Sequence, residues 1–352
     1  MQKNRLTQII FYDIENFINV IDFETLRDKS ILITGASGLL GTYFLATLCM
    51  LYKRGVTPSL IVAVTNSDSN YLIKEYEDSL PILKAVQADL SSAATIDGFG
   101  SFDFIIHAAG YGQPNRFMKD QIKTIQLNTT ATLALFNVLN SNGRFLFLSS
   151  SEVYNGLNNP PFNESQIGTT NTTNFRSSYI EGKRCGEAIC HAQRSNGISA
   201  SSARLALAYG PGTKAGDSRV INSFIERALK ESEIKLLDHG SAMRTYCYVA
   251  DAVEILWQIL LHGTESLYNV GGKSRVTIAE LARQIGAYVN VPVRFPEQSQ
   301  ELQGAPSDVF LDMTRVQTEF NKVAYISLQD GLSRTIAWQK ILYGLESELD
   351  RK

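Results

Sequence analysis

Cysteine is scarce in this chain. Its 352 residues hold 4, at Cys49, Cys185, Cys190 and Cys247. None forms a CxxC pair, and no His/Cys grouping has zinc-ligand spacing. That excludes a structural zinc site and points to buried or half-buried thiols in a reducing cytosol. A basic cluster is also missing. With 33 Lys+Arg against 35 Asp+Glu the net charge is −2, which disfavours nucleic acid and an anionic membrane as partners. Repeats and low-complexity segments are absent. Residues 1–26, MQKNRLTQIIFYDIENFINVIDFETL, mix charge into their apolar positions and so lack the form of a signal peptide. They read as a short amphipathic extension of helical character. One uncharged run stands out, SILITGASGLLGTYFLATLCMLY at 30–52. It is long enough to cross a bilayer, but three evenly spaced glycines near its start give it another meaning.

What is present is an ordinary folded composition, 44% hydrophobic and 19% charged. The length suits one large α/β unit or two domains around a shared cleft. Short apolar runs mark strands: ILIT (31–34), LIVAV (60–64), FDFIIHAA (102–109), RFLFLS (144–149) and SASSARLA (199–206). Between them, TYFLATLCMLYKRG, IKTIQLNTTATLALFNVLN and IEGKRCGEAICHAQRSNG carry helical spacing. Strands alternating with helices predict a parallel, doubly wound sheet. Beyond Gly210, Pro211 and Gly212 the texture changes. INSFIERALK reads as a helix, and SRVTIAELARQIGAYVN as another with Thr277 near its cap.

ILITGASGLLG places Gly35, Gly38 and Gly41 directly after the first strand. A dinucleotide site needs small residues there: the strand must turn, the backbone must approach a pyrophosphate, and the next helix must pack closely. The N–H groups and dipole of that helix then face the phosphates. The expected organisation is therefore an α/β, doubly wound Rossmann sheet with a smaller C-terminal α/β substrate domain. Residues 1–29 form the extension, 30–205 the NAD-binding domain, and 206–352 mainly the substrate domain, with a return to the first around 244–262. The second strand ends Val64-Thr65-Asn66-Ser67. It offers no carboxylate where NAD ribose is usually held, Asp68 being the nearest, and no arginine for the extra phosphate of NADP. Asn66 can bond a ribose hydroxyl, so NAD is the expected cofactor. Asp89, in QADL, either meets the adenine amino group or is a solvated loop acid.

RSSYIEGKR sets Tyr179 and Lys183 four residues apart, on one face of a helix. A tyrosine with a pKa of ~10 is a poor base at neutral pH. A lysine ammonium and a nicotinamide cation beside it would lower that value. SSSEVY, at 149–154, adds hydroxyls and Glu152 at the end of the fourth strand named above.

With these strings, and with HAAGYGQP, AYGPG, GDSRVINSFI and MRTYCYVADA, residues 30–345 resemble the extended short-chain dehydrogenase/reductase family. Within it the chain looks most like the UDP-glucuronate decarboxylases. The resemblance implies an NAD pocket of Gly35, Ser37, Gly38, Leu39, Leu40, Gly41, Asn66, Asp89, Leu90, Ala108, Ala109, Gly110, Asn128, Tyr179 and Lys183. It implies that Ser150 holds the substrate's C4 oxygen, that Tyr179 takes the C4 proton and that Lys183 supports it. Glu152 would assist loss of CO₂ or reprotonation at C5. Arg244 would meet the sugar carboxylate or diphosphate, with Ser151, Arg219 and Val220 on the substrate side. Related 4,6-dehydratases carry Asp-Glu where this chain has Ser151-Glu152, and serine is a poor acid for expelling water. Decarboxylation of a nucleotide hexuronate through a 4-keto intermediate is thus the leading expectation. A 4,6-dehydratase, a 4-epimerase or a non-catalytic NAD-binding module are the alternatives. A cytoplasmic homodimer paired through the Tyr/Lys helix is expected by the same analogy. Four positions depart from the family: Leu207 for an asparagine, Leu237 for an aromatic, Val309 for an arginine and Phe117 for a tyrosine. All lie on the substrate side.

Overall fold

The computed structural model describes residues 2–66, 71–297 and 308–346. Among these, six strands precede residue 206: β1 (Ser30–Thr34), β2 (Leu60–Thr65), β3 (Leu83–Gln87), β4 (Phe102–His107), β5 (Leu139–Ser150) and β6 (Ser199–Leu205). Six follow: β7 (Leu207–Tyr209), β8 (Ile234–Lys235), β9 (Met243–Tyr248), β10 (Leu267–Val270), β11 (Ser274–Thr277) and β12 (Val293–Arg294). The first six and β10 form one parallel sheet in the order β10-β6-β5-β4-β1-β2-β3. The order reverses between β1 and β4, which opens a crevice at their C-terminal ends.

Both faces of the sheet are covered, and β1 shows why its middle residues, Ile31 to Ile33, are all apolar. Ile31 and Ile33 enter one core with Phe44, Leu48 and Trp257. Leu32 enters the other with Leu127, Leu135 and Phe145. The uncharged run at 30–52 is this strand and the buried helix Leu39–Lys53. Among the described residues no helix is long and apolar enough to cross a membrane.

The helix Val249–His262 covers the sheet, its Trp257 edge-on to Phe23 and Phe44. Strands β7, β9 and β11 make a small mixed sheet, and β8 pairs with β12. Three sequence readings shift at their ends. Ser274–Thr277 is strand, and the helix Ile278–Val289 begins after it on a Thr277–Glu280 capping box. The pattern after Ile122 breaks at Thr129 into Gln121–Asn128 and Thr130–Asn137, and Leu139 already belongs to β5. The run at 102–109 leaves the strand at His107, where Ala108 and Ala109 turn toward the glycine loop. Of the cysteines, Cys185 is exposed and the other three are buried.

The N-terminal helix, Gln2–Glu15, packs on Leu39–Lys53 and on the C-terminal helix Leu328–Tyr343. Its Asp13 is fully buried. Tyr43 and Tyr248 each donate to Asp13 Oδ2 at 2.6 Å, and Arg334 donates to Oδ1 at 2.6 Å. Burial raises the Asp13 pKa, and these three partners pull it back.

Candidate active site

Gly35 has φ +67°, and a Cβ there would lie 2.5 Å from the Ala108 carbonyl oxygen. A Cβ on Gly41 would lie 2.5 Å from the Gly35 carbonyl oxygen. Only glycine fits either place. Gly38 is the N-cap of the helix that starts with Leu39 and Leu40, so free N–H groups face the crevice. Thr34 ties the loop down. Its hydroxyl accepts from the Ala109 N–H at 3.1 Å and donates to His107 Nδ1 at 2.8 Å. His107 Nε2 donates to the Leu127 carbonyl at 2.9 Å. Burial, aided by the charge of Lys183, lowers His107 to about 3, so the ring is neutral.

Asn66 stands exposed at the end of β2, and Asp68 lies outside the described residues. Asp89 is engaged by Lys123 at 2.7 Å and by Ser91, and the Lys123 hydrogen bond lowers it to about 2. Leu90 beside it is buried. Asn128 is fully buried, and its Oδ1 has no partner. A Cβ on Gly110 would sit 3.9 Å from that oxygen and 3.6 Å from Lys183 Nζ. The glycine cradle and this orphaned oxygen fit a dinucleotide lying across β1 and β4 with its far end at Lys183.

The helix Ser177–Ser195 brings Tyr179 and Lys183 to the end of β5, where Ser150 caps the short turn Ser151–Tyr154. Burial raises the Tyr179 hydroxyl to about 12. A hydrogen bond with Ser150 opposes this, Glu152 adds to it, and Arg176 and Arg219 pull it down. The lowering expected from Lys183 does not arise from the chain's own groups. Its ammonium donates to the Leu148 carbonyl at 2.6 Å and lies 5.7 Å from the Tyr179 ring centroid. Burial lowers Lys183 to about 7, with Glu187 opposing. Glu187, one turn further along the helix, accepts from Ser149 at 2.5 Å and from Arg204 at 2.8 Å.

Glu152 is held by Arg176, Nε to Oε2 at 3.0 Å and Nη2 to Oε1 at 2.5 Å. The guanidinium also covers the Phe117 ring at 5.1 Å. Phe117 in turn lies flat on Tyr179, with centroids 4.4 Å apart and planes 11° apart. Ser151, Glu152 and Val309 line one small crevice with Phe162 and Asp308. Arg244 donates to the Met243 carbonyl, is depressed by burial, and feels the charges of Glu152 and Arg176. Arg219 is paired with Asp217 at 2.6 Å, and Val220 opens the next helix, half exposed. Leu207 and Leu237 are exposed.

Sequence reasoning passed over Arg176, His107, Glu187 and Arg204. Arg176 stands inside the quoted RSSYIEGKR, but a guanidinium's partner 24 residues back is invisible to local spacing. The others act through contacts across strands.

A model of the NAD dependent epimerase/dehydratase family matches residues 31–271. UDP-glucuronic acid decarboxylase 6 of Arabidopsis thaliana is 31% identical over 72% of this chain and 73% of its own. UDP-glucuronic acid decarboxylase 5 of the same plant is 28% identical over 86% of each. The structure of a dTDP-glucose 4,6-dehydratase of Streptomyces venezuelae, solved with NAD bound, superimposes with a TM-score of 0.78 at 21% identity, covering 89% of this chain and 98% of that one. The chain belongs to the NAD dependent epimerase/dehydratase family.

Proposed function

We propose that the protein is an NAD-dependent decarboxylase of a nucleotide hexuronate such as UDP-glucuronate. The observation that carries this is the pairing of Ser150, Tyr179 and Lys183 with the carboxylate of Glu152, two residues after Ser150 and clamped by Arg176. The bound dinucleotide supplies temporary storage of a hydride. Tyr179 accepts the proton of the C4 hydroxyl as C4 becomes a ketone, while Ser150 holds O4. The C6 carboxylate is then β to a carbonyl. When the C5–C6 bond breaks, its electron pair flows toward O4, and hydroxyls of Ser150 and Tyr179 stabilise the enolate. Glu152, fixed by Arg176, serves the proton that arrives at C5. Tyr179 returns its proton to O4 as C4 regains its hydrogen. Arg244, beside Glu152 and Arg176, suits the substrate's carboxylate or diphosphate. Ser151 in place of an acid supports loss of CO₂ over loss of water.

Residues 30–205 with the return segment would hold NAD, and the remaining C-terminal part the sugar nucleotide. The reduced thiols suit a cytoplasmic protein. Ile122 and Ile125 lie exposed on the helix packed against the Tyr/Lys helix, whose outer side shows Cys185 and Ala188. This apolar face suits pairing of two copies. The test is incubation with a panel of nucleotide hexuronates and mass spectrometry of the products. Loss of CO₂ is expected; loss of water, or isomerisation alone, would replace this reading with a dehydratase or an epimerase.

A further inference from the structure

We propose that Asn155 and Asp308 hold a single water behind Glu152, and that this water brings in the solvent proton that C5 receives. The inference rests on the decarboxylase reading above and adds two positioning residues to it. When CO₂ leaves, the electron pair of its bond stays with the sugar, so each turnover takes up one proton from solvent. A sugar lying over Ser150 and Tyr179 would cover the front of Glu152, and the proton then needs another way in.

The crevice shared by Ser151, Glu152, Phe162, Asp308 and Val309 is also lined by Asn155. It leaves a volume of about 20 Å³, where one water needs roughly 10–15 Å³ and about two to four polar partners. Asn155 Nδ2 is buried and has no partner among the described residues. The Thr170 hydroxyl donates to Asn155 Oδ1 at 2.8 Å, so the nitrogen is the end of the amide left for something else. Each oxygen of Glu152 accepts one hydrogen bond from Arg176, and a carboxylate oxygen can accept a second. Asp308 is paired with Arg275, and its side chain is 22% exposed, which joins the crevice to bulk solvent.

The walls are fixed from both sides. The Phe162 N–H donates to the Phe310 carbonyl at 2.9 Å, and the Asp312 N–H donates to the Phe162 carbonyl at 2.8 Å. Arg184 donates to the Val153 and Gly168 carbonyls at 2.9 and 2.8 Å, which holds the loop that carries Thr170. In this setting Asn155 donates to the water, and the water's two protons face the two carboxylates. As the C5–H bond forms, Glu152 gives up its proton, the water replaces it, and solvent at Asp308 replenishes the water. The sum is one carboxylate and one proton in, one C–H bond and CO₂ out.

The experiment is a single turnover of UDP-glucuronate by the full chain with NAD bound, run in H₂O and in D₂O. Stopped-flow absorbance follows NADH, and trapping follows CO₂. Asn155→Leu, which fills the crevice, and Asp308→Asn should form NADH and release CO₂ at the wild-type rates. Both should reoxidise NADH more slowly, by about tenfold or more, and with a larger solvent isotope effect on that step. Asn155→Ser keeps a donor and should recover most of the rate. Wild-type reoxidation in both Asn155→Leu and Asp308→Asn would overturn the proposal. So would an equal slowing of all three steps, because that is damage to the pocket at large and not to proton supply. Absence of CO₂ from the wild type, with this or any other nucleotide hexuronate, is a separate result that removes the decarboxylase reading beneath.

Discussion

Lys183 works against the stability of the fold that holds it. Burial lowers it from 10.5 to about 7. Between these values the unfolded chain binds a proton that the folded chain does not, so stability rises with pH and the penalty is full below about pH 7. Lys183→Met removes it. The variant should melt above the wild type at pH 7, with the gap narrowing as pH approaches 10.5; denaturant titrations across that range check the sign, and a gap independent of pH would contradict it. Tyr179→Phe should cut turnover by roughly 10²–10⁴-fold while dinucleotide still binds. Glu152→Gln should slow CO₂ release by about 10²-fold and slow transient NADH formation far less, read by stopped-flow absorbance. Full wild-type turnover in that variant would remove Glu152 from the mechanism. Tyr179, Lys183, Ser150 and Glu152 were legible because each stands in a short string with fixed spacing. Arg176 was not, since its role depends on how the turn Ser151–Tyr154 meets the start of a helix 24 residues on.

Among the elements, those with local signals were read well. Gly35 and Gly41 mark the turn from β1 into its helix because the backbone contacts there admit no side chain. Thr277 caps Ile278–Val289 as its hydroxyl and Glu280 suggest, and Thr277→Ala should cost about 1 kcal/mol in a denaturant melt. The N-terminal helix is the opposite case. Its amphipathic pattern was visible, but Asp13 gains its meaning from Tyr43, Tyr248 and Arg334. Asp13→Ala strands these three groups and should lower stability by about 3–5 kcal/mol, seen as an earlier cooperative transition. A loss below ~1 kcal/mol would mean that the helix is only loosely attached.

At the scale of the molecule, the alternation of strands and helices made the doubly wound sheet readable, and its order supplied the crevice. The edge strand β10 was not foreseen. It is only four residues, Leu267–Val270, and it joins β6 after β7 and β9 have begun another sheet and before β11 completes it. The proposed pairing of two copies is also testable here: if the face at Ile122 and Ile125 holds a dimer together, Ile122→Asp with Ile125→Asp should leave a sedimenting monomer without lowering its melting point, and an unchanged sedimentation coefficient would rule that face out. The Asp13 node has a further consequence for biosynthesis. Its four members lie at positions 13, 43, 248 and 334, so the acid cannot meet its cation until residue 334 has left the ribosome. The N-terminal helix therefore gains its full set of partners only after residue 334 has emerged, and nascent chains stalled before Arg334 should be far more open to proteases at their amino-terminal end.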